Sequence, residues 1–140
     1  MLGSTLTPLL DDLGRCTHLL STSHDITARK QSEEALRESE ERFRNLFENA
    51  NDAIAIVDMN RTVVSINRAM EQLLGWSREE LIGQSDYKVL TPAGIALSEE
   101  RERRIQNGER MPSIFEHEFV RKDGGKVLVE GRTRFIKDTR

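Results

Sequence analysis

The sequence predicts an α+β fold in which short strands alternate with capped helices, and three stretches carry that prediction. Residues 43–84 run from the apolar end of a helix through two short apolar strands into two small helices. Asp123-Gly124 sits between two apolar runs, and an Asp-Gly pair in that setting is among the strongest short-range signs of a hairpin. Residues 28–46 hold five basic side chains (Arg29, Lys30, Arg37, Arg42, Arg44) and five acidic ones (Glu33, Glu34, Glu38, Glu40, Glu41), with no Gly or Pro, which reads as one polar helix.

In chain order, residues 5–24 read as a β-hairpin. Leu6, Leu9 and Leu10 precede a turn at Asp11-Asp12-Leu13-Gly14, and Thr17 to Ser23 return. Asp25 and Thr27 both suit the cap of the polar helix, which would be roughly 30 Å long at 1.5 Å per residue. Within it Leu36, Phe43 and Ala50 recur every seven residues, with Ser32, Ser39 and Leu46 offset by three. Two readings stand: a short coiled-coil seam, or a solvated helix whose last turn alone packs on the domain. Strands follow at 53–58 and 62–67, joined by a turn at Asp58-Met59-Asn60-Arg61. Asn67 opens a helix that Gly75-Trp76 ends, and Ser77-Arg78-Glu79-Glu80 is a capping box for the next. Thr91-Pro92 starts a helix predicted to run to Gln106, with Asn107-Gly108 as its stop. Strands at 113–121 and 126–137 complete the pattern.

Composition narrows the function. A net charge of −3 with 32% charged residues lacks the basic excess of a nucleic-acid binder. The single cysteine, Cys16, cannot close an internal disulfide or supply a cysteine metal cluster, and it is expected to be a small buried hydrophobe. No stretch approaches the roughly 18 apolar residues of a membrane span, and no secretory signal is visible, so a cytoplasmic setting without membrane insertion is expected. No phosphate-cradling glycine loop, nucleophile motif or metal-binding helix appears, and no catalytic or metal residue is assigned. His18 and His24 have no metal-ligand partner at useful spacing. The run Ser98 to Arg104 reads as a solvated helix face.

The order of elements in 43–84 resembles the first half of a PAS sensor domain. Arg121-Lys122-Asp123-Gly124 before an apolar strand is similar to the second half, and Asp25-Ile26-Thr27-x-Arg29-Lys30 is similar to the point where such a domain ends and a signalling helix begins. The resemblance implies a PAS fold: a five-stranded antiparallel sheet in spatial order 2-1-5-4-3, helices on one face, and an N-terminal signalling helix. It divides the chain into 1–24, the terminal hairpin of a preceding PAS repeat; 25–47, the linker helix; and 43–140, a PAS domain lacking its own last strand. Thr7-Pro8-Leu9-Leu10-Asp11-Asp12 even echoes Thr133-Arg134-Phe135-Ile136-Lys137-Asp138. The central slot left by strand five is expected to take residues 16–23. Closure within one chain is strained, because a straight helix leads about 30 Å away and six residues span only about 20 Å back. Exchange between two protomers is easier, and a frayed N-terminal tail is the alternative.

The resemblance also implies a function: a sensory module of a multidomain signalling protein, with a histidine kinase or diguanylate cyclase as output, binding a small ligand or relaying conformational change. The alternative is a cofactor-free dimerisation and relay module; catalysis by this chain itself is not expected. Neighbouring PAS and output domains and a second copy of the chain are the expected partners, the copy meeting through Leu36, Phe43 and Leu46. Flavin-adduct chemistry is not expected, because Asp86 takes the cysteine position. Nor is haem, because the helix at 92–106 has no histidine. From strand phase and the resemblance together, the candidate cavity residues are Ile56, Ile66, Met70, Tyr87, Phe115, His117, Phe119 and Val129, joined by Ile54, Val64, Leu74, Leu90 and Val127. For most of these ordinary core packing is the competing reading. A buried His117 would either orient a polar ligand or be satisfied by a neighbouring group.

Overall fold

A computed structural model describes residues 2–136. It separates into two compact units, 1–46 and 47–140.

In the first unit β1 (Leu2–Leu10) pairs antiparallel with β2 (Cys16–Asp25). The turn forms because the Asp11 carboxylate accepts from the backbone N–H groups of Leu13 and Arg15, while Gly14 adopts the left-handed φ of 75°. The segment expected to fill the central slot, residues 16–23, thus lies in β2 with one edge committed to β1. Entering a two-sided slot would require this hairpin to open. Cys16 is exposed rather than buried, since every residue of β2 is exposed. Helix α1 (Thr27–Asn49) begins where the Asp25 carboxylate accepts from both the N–H and the hydroxyl of Thr27, which satisfies the first backbone donor of the helix. Leu36, Phe43 and Leu46 are all exposed along α1.

The second unit opens with the hairpin of β3 (Ala55–Val57) and β4 (Val63–Ile66). Asp58 builds the turn by accepting from the N–H groups of Asn60 and Thr62, with Arg61 at φ 65°. Two residues of β4, Val63 and Val64, oppose Val57, a bulge that shifts the strand phase by one. Val63 is therefore the buried residue at 4% exposure, and Val64, expected inside, is 51% exposed. Helix α2 (Arg68–Leu74) ends at Gly75 in the left-handed region. Helix α3 (Arg78–Leu81) starts with the expected capping box of Ser77 and Glu80. A 3-10 turn (Asp86–Val89) leads to α4 (Pro92–Gln106), capped by Thr91. The hairpin of β5 (Ile114–Val120) and β6 (Lys126–Arg132) follows, turning through Asp123-Gly124.

The core gathers Val63, Ile66, Met70, Leu74, Leu81 and Val89, with Trp76 and Phe119 packed against it. Asn67 sits in the middle with no solvent exposure. Its amide nitrogen donates to the carbonyls of Phe47 and Asp52, each at 2.9 Å, and its oxygen accepts from the N–H of Ile54 and of Met70. The hairpin of β5 and β6 is tied in separately. Lys122 donates its N–H to the Leu74 carbonyl and its ammonium to Glu80, whose pKa falls to about 2 chiefly through that bond.

The α+β class holds, but the expected five-stranded sheet is present as two two-stranded hairpins, β3–β4 and β5–β6. In the expected order a fifth strand lies between β3 and β6, and among the described residues no strand does so. Strand β6 also stops at Arg132 instead of continuing to 137. Of the echo at 133–138, residues 133–136 belong to no strand and Lys137 and Asp138 lie outside the described residues.

Asn67→Ala strips partners from two carbonyls and two N–H groups and should cost about 2–4 kcal/mol. Ser77→Ala, which removes only an end cap, should cost about 1 kcal/mol. Urea titrations of the two variants should separate in that order; equal losses would contradict the weight given to Asn67.

Candidate functional site

Strand alternation places Phe115, His117 and Phe119 on one face of β5. Their register partners on β6 are Gly131, Val129 and Val127. The three rings form a ladder: Phe115 to His117 at 5.1 Å between centroids, and His117 to Phe119 at 4.5 Å edge to face. Gly131 makes room for it, since a Cβ there would stand 2.6 Å from His117 Cε1. Helix α4 sends Arg101 onto this ladder, its guanidinium carbon 3.2 Å from the Phe115 ring centroid.

Two polar atoms at this face are buried without a hydrogen-bond partner: His117 Nδ1 and Arg101 Nε. Burial holds the His117 pKa below its ordinary value of 6.5, and the nearby Arg101 charge adds to the effect. Burial alone moves the Arg101 pKa down. The run Ser98 to Arg104 is therefore not a uniformly solvated face. Glu100 pairs with Arg103, but Glu99 accepts from the Tyr87 hydroxyl at 2.8 Å, Glu102 lies 3.7 Å from Arg61, and Arg101 turns inward.

The candidate residues divide into three groups. Ile66 and Met70 are buried in the core around α2, and Phe119 packs against that core. Phe115, His117 and Val129 line the α4-facing surface of β5 and β6. Tyr87 stands in a polar cluster, with Arg61 over its ring at 5.0 Å and Arg61 paired to Asp86 at 2.8 Å. Burial pushes the Asp86 pKa up, and the Arg61 charge only partly offsets it. Ile56 is half-buried on β3. Arg101 and Gly131 were not among the expected site residues. Two shallow depressions flank Gly75, one lined by Arg121 and Lys122 and the other by Arg68 and Trp76, and neither includes His117 or Arg101. Among the described residues no group of three or more His, Cys, Asp or Glu could hold a metal ion, and no helix is long and apolar enough to cross a membrane.

The family model described as the PAS fold matches residues 41–138, most of the chain. The chain belongs to the PAS family. The PAS segment is 36% identical over 82 residues to the sensor protein FixL of Bradyrhizobium diazoefficiens, covering 59% of this chain and 16% of that protein. It is 31% identical over 75 residues to the probable diguanylate cyclase DgcE of Escherichia coli, covering 54% of this chain and 7% of that one. The chain thus spans less than a fifth of the length of either relative. A solved PAS domain from a two-component sensor histidine kinase aligns with a TM-score of 0.60 at 25% identity, covering 74% of this chain and 88% of that one. The chain is a PAS sensor module of the signalling kind.

Because His117 is held neutral in the fold, it stabilises the native state above pH 6.5, its ordinary value. That contribution is lost as the pH falls from there toward the lower folded pKa, because the unfolded chain takes up the proton first. Chemical denaturation of the wild type should show stability declining as the pH falls below the ordinary histidine value of 6.5. His117→Leu should flatten that part of the profile, and an unchanged slope would contradict the burial of a neutral imidazole.

Proposed function

We propose that this PAS module senses a small ligand against the ladder of Phe115, His117 and Phe119, and passes its response to α1. The carrying observation is that two of the three unpartnered buried polar atoms found among the described residues, Arg101 Nε and His117 Nδ1, fall on this one face; the third, Trp76 Nε1, lies beside the core. A ligand acts on the output only by binding two arrangements of the domain unequally. The route available is short: Phe119 packs on the core that holds Asn67, and Asn67 bonds the Phe47 carbonyl at the end of α1.

The parent is proposed to be a cytoplasmic multidomain protein with a histidine kinase or diguanylate cyclase output; the FixL and DgcE relatives and the kinase PAS domain support this class. The hairpin of β1 and β2 is read as the end of a preceding PAS repeat. Its exposed leucines, including Leu6 at 66% and Leu19 at 64%, suit burial against that neighbour. Two copies meet through Leu36, Phe43 and Leu46, whose exposure leaves an apolar stripe on an otherwise charged helix. Strand exchange through residues 16–23 is the costlier form of that dimer, since β2 would first have to leave β1. One observation favours the relay reading as second choice: the Arg101 guanidinium already covers the Phe115 ring.

Val129→Trp should fill the space beside His117 and remove any mass adduct that the wild-type chain carries in native mass spectrometry. Retention of the same adduct would contradict a site on this face. Phe43→Glu should weaken the dimer by at least about tenfold in sedimentation experiments, about 1.4 kcal/mol. An unchanged dimer would place the interface elsewhere.

A further inference from the structure

We infer that the face between α4 and β5 is a receptor for a small organic monocarboxylate, with Arg101 gripping the carboxylate, His117 assisting, and Phe115 and Phe119 holding the apolar body. This inference rests on the sensory reading above and names its ligand class.

The charges of α4 carry the argument. From residue 99 to residue 104 every charged side chain but one has a partner: Glu99 with Tyr87, Glu100 with Arg103, Glu102 with Arg61, and Arg104 with Glu109. Arg101 is the exception and makes no ion pair among the described residues. It is also the member of the run that is turned inward, against a phenyl ring. A guanidinium cannot shed its proton, so even partial burial without a counter-charge carries a cost, and Arg101 is half-buried with its Nε shielded. Cation–π contact with Phe115 offsets part of that cost and leaves Nε without an acceptor.

The chemistry missing from this face is an anion with two acceptor oxygens. The planar fork of arginine matches a carboxylate in bidentate geometry, and such charge-assisted bonds are about twice as strong as neutral ones. His117 Nδ1, also without a partner, can donate to the same carboxylate in the tautomer that carries its proton there. The carboxylates of β5 do not compete: Glu116 and Glu118 alternate to the other face, and Glu118 lies 3.6 Å from the Lys126 ammonium. The apolar side is supplied by the ring ladder and Val129. Arg101 covers Phe115 when no carboxylate is present; a ligand draws the guanidinium off the ring by a side-chain rotation. One group thus closes the site when it is empty and recognises the ligand when it is filled.

The test uses the 140-residue chain and two matched pairs of probes: benzoate with benzamide, and octanoate with octanamide. Calorimetric titration should show saturable binding of at least one carboxylate, at least about tenfold tighter than its amide. Arg101→Met should weaken that binding by at least about tenfold, while Arg101→Lys, which keeps the charge and loses the fork, should fall between. Arg101→Met should also raise the melting temperature of the probe-free chain, because it removes a half-buried charge that has no ion-pair partner among the described residues. Failure of both carboxylates to bind would overturn the inference, as would amides binding equally well or a fall in melting temperature for Arg101→Met. Equal amide binding that Val129→Trp abolishes would overturn the carboxylate assignment alone and leave the sensory reading standing. Absence of binding by all four probes, together with no mass adduct on the purified chain, would count against both.

Discussion

The fold depends on one buried amide. Asn67 has two donors and two acceptor lone pairs on its side chain, and all four are used inside the protein. They join the last part of α1, the loop after it, the start of the strand segment at Ile54, and the first turn of α2. These pieces are up to 20 residues apart in sequence. A neutral amide with every bond made can sit in a core at little cost, whereas any one bond missing leaves a desolvated group behind. The arrangement is therefore closer to all-or-none than a patch of leucines would be, and it places the end of the signalling helix in the same network as the domain core.

Against that satisfied centre the α4–β5 face is the contrast. The core polar group has every bond made, while Arg101 and His117 are half-buried, each with one shielded polar atom unpaired, and the Arg101 charge holds the His117 pKa further down. Folding alone gives no reason to place them together, since a leucine at either position would pack with less cost. A face that needs an external acceptor is what a sensor requires, because the free protein and the filled one then differ in energy. The separation of the sheet into two hairpins acts in the same direction. The hairpin of β5 and β6 is held to the rest by Lys122, Phe119 and the Leu90 bridge, with no ladder to β3 among the described residues.

Local chemistry made much of this legible in the sequence. The Ser77 and Glu80 box, the Thr91-Pro92 start, the Gly75 stop and the Asp123-Gly124 turn each fix their neighbours through bonds a few residues long, so the sequence pattern suffices to place them. The long-range features were not visible. Val64 was assigned inward from strict alternation, and the bulge that reverses it depends on how β4 meets β3. Asn67 was recognised as a cap, but three of its four bonds reach residues 13 to 20 positions away. Arg101 lies in a charge run that reads as solvent-facing, and only the packing of α4 on β5 turns it inward. Gly131 has no turn to mark it, and its purpose appears only when His117 is seen beside it.

The central claim is that Asn67 couples the end of α1 to the domain core, and native-state hydrogen exchange on Asn67→Asp tests it most directly. Aspartate keeps the two acceptors and loses the two donors, so the cap on Met70 survives while the bonds to Phe47 and Asp52 do not. The account predicts that protection falls in the last turn of α1 and the loop to Ile54, with α2 unchanged. Loss of protection confined to α2, with the end of α1 as slow to exchange as in the wild type, would contradict it.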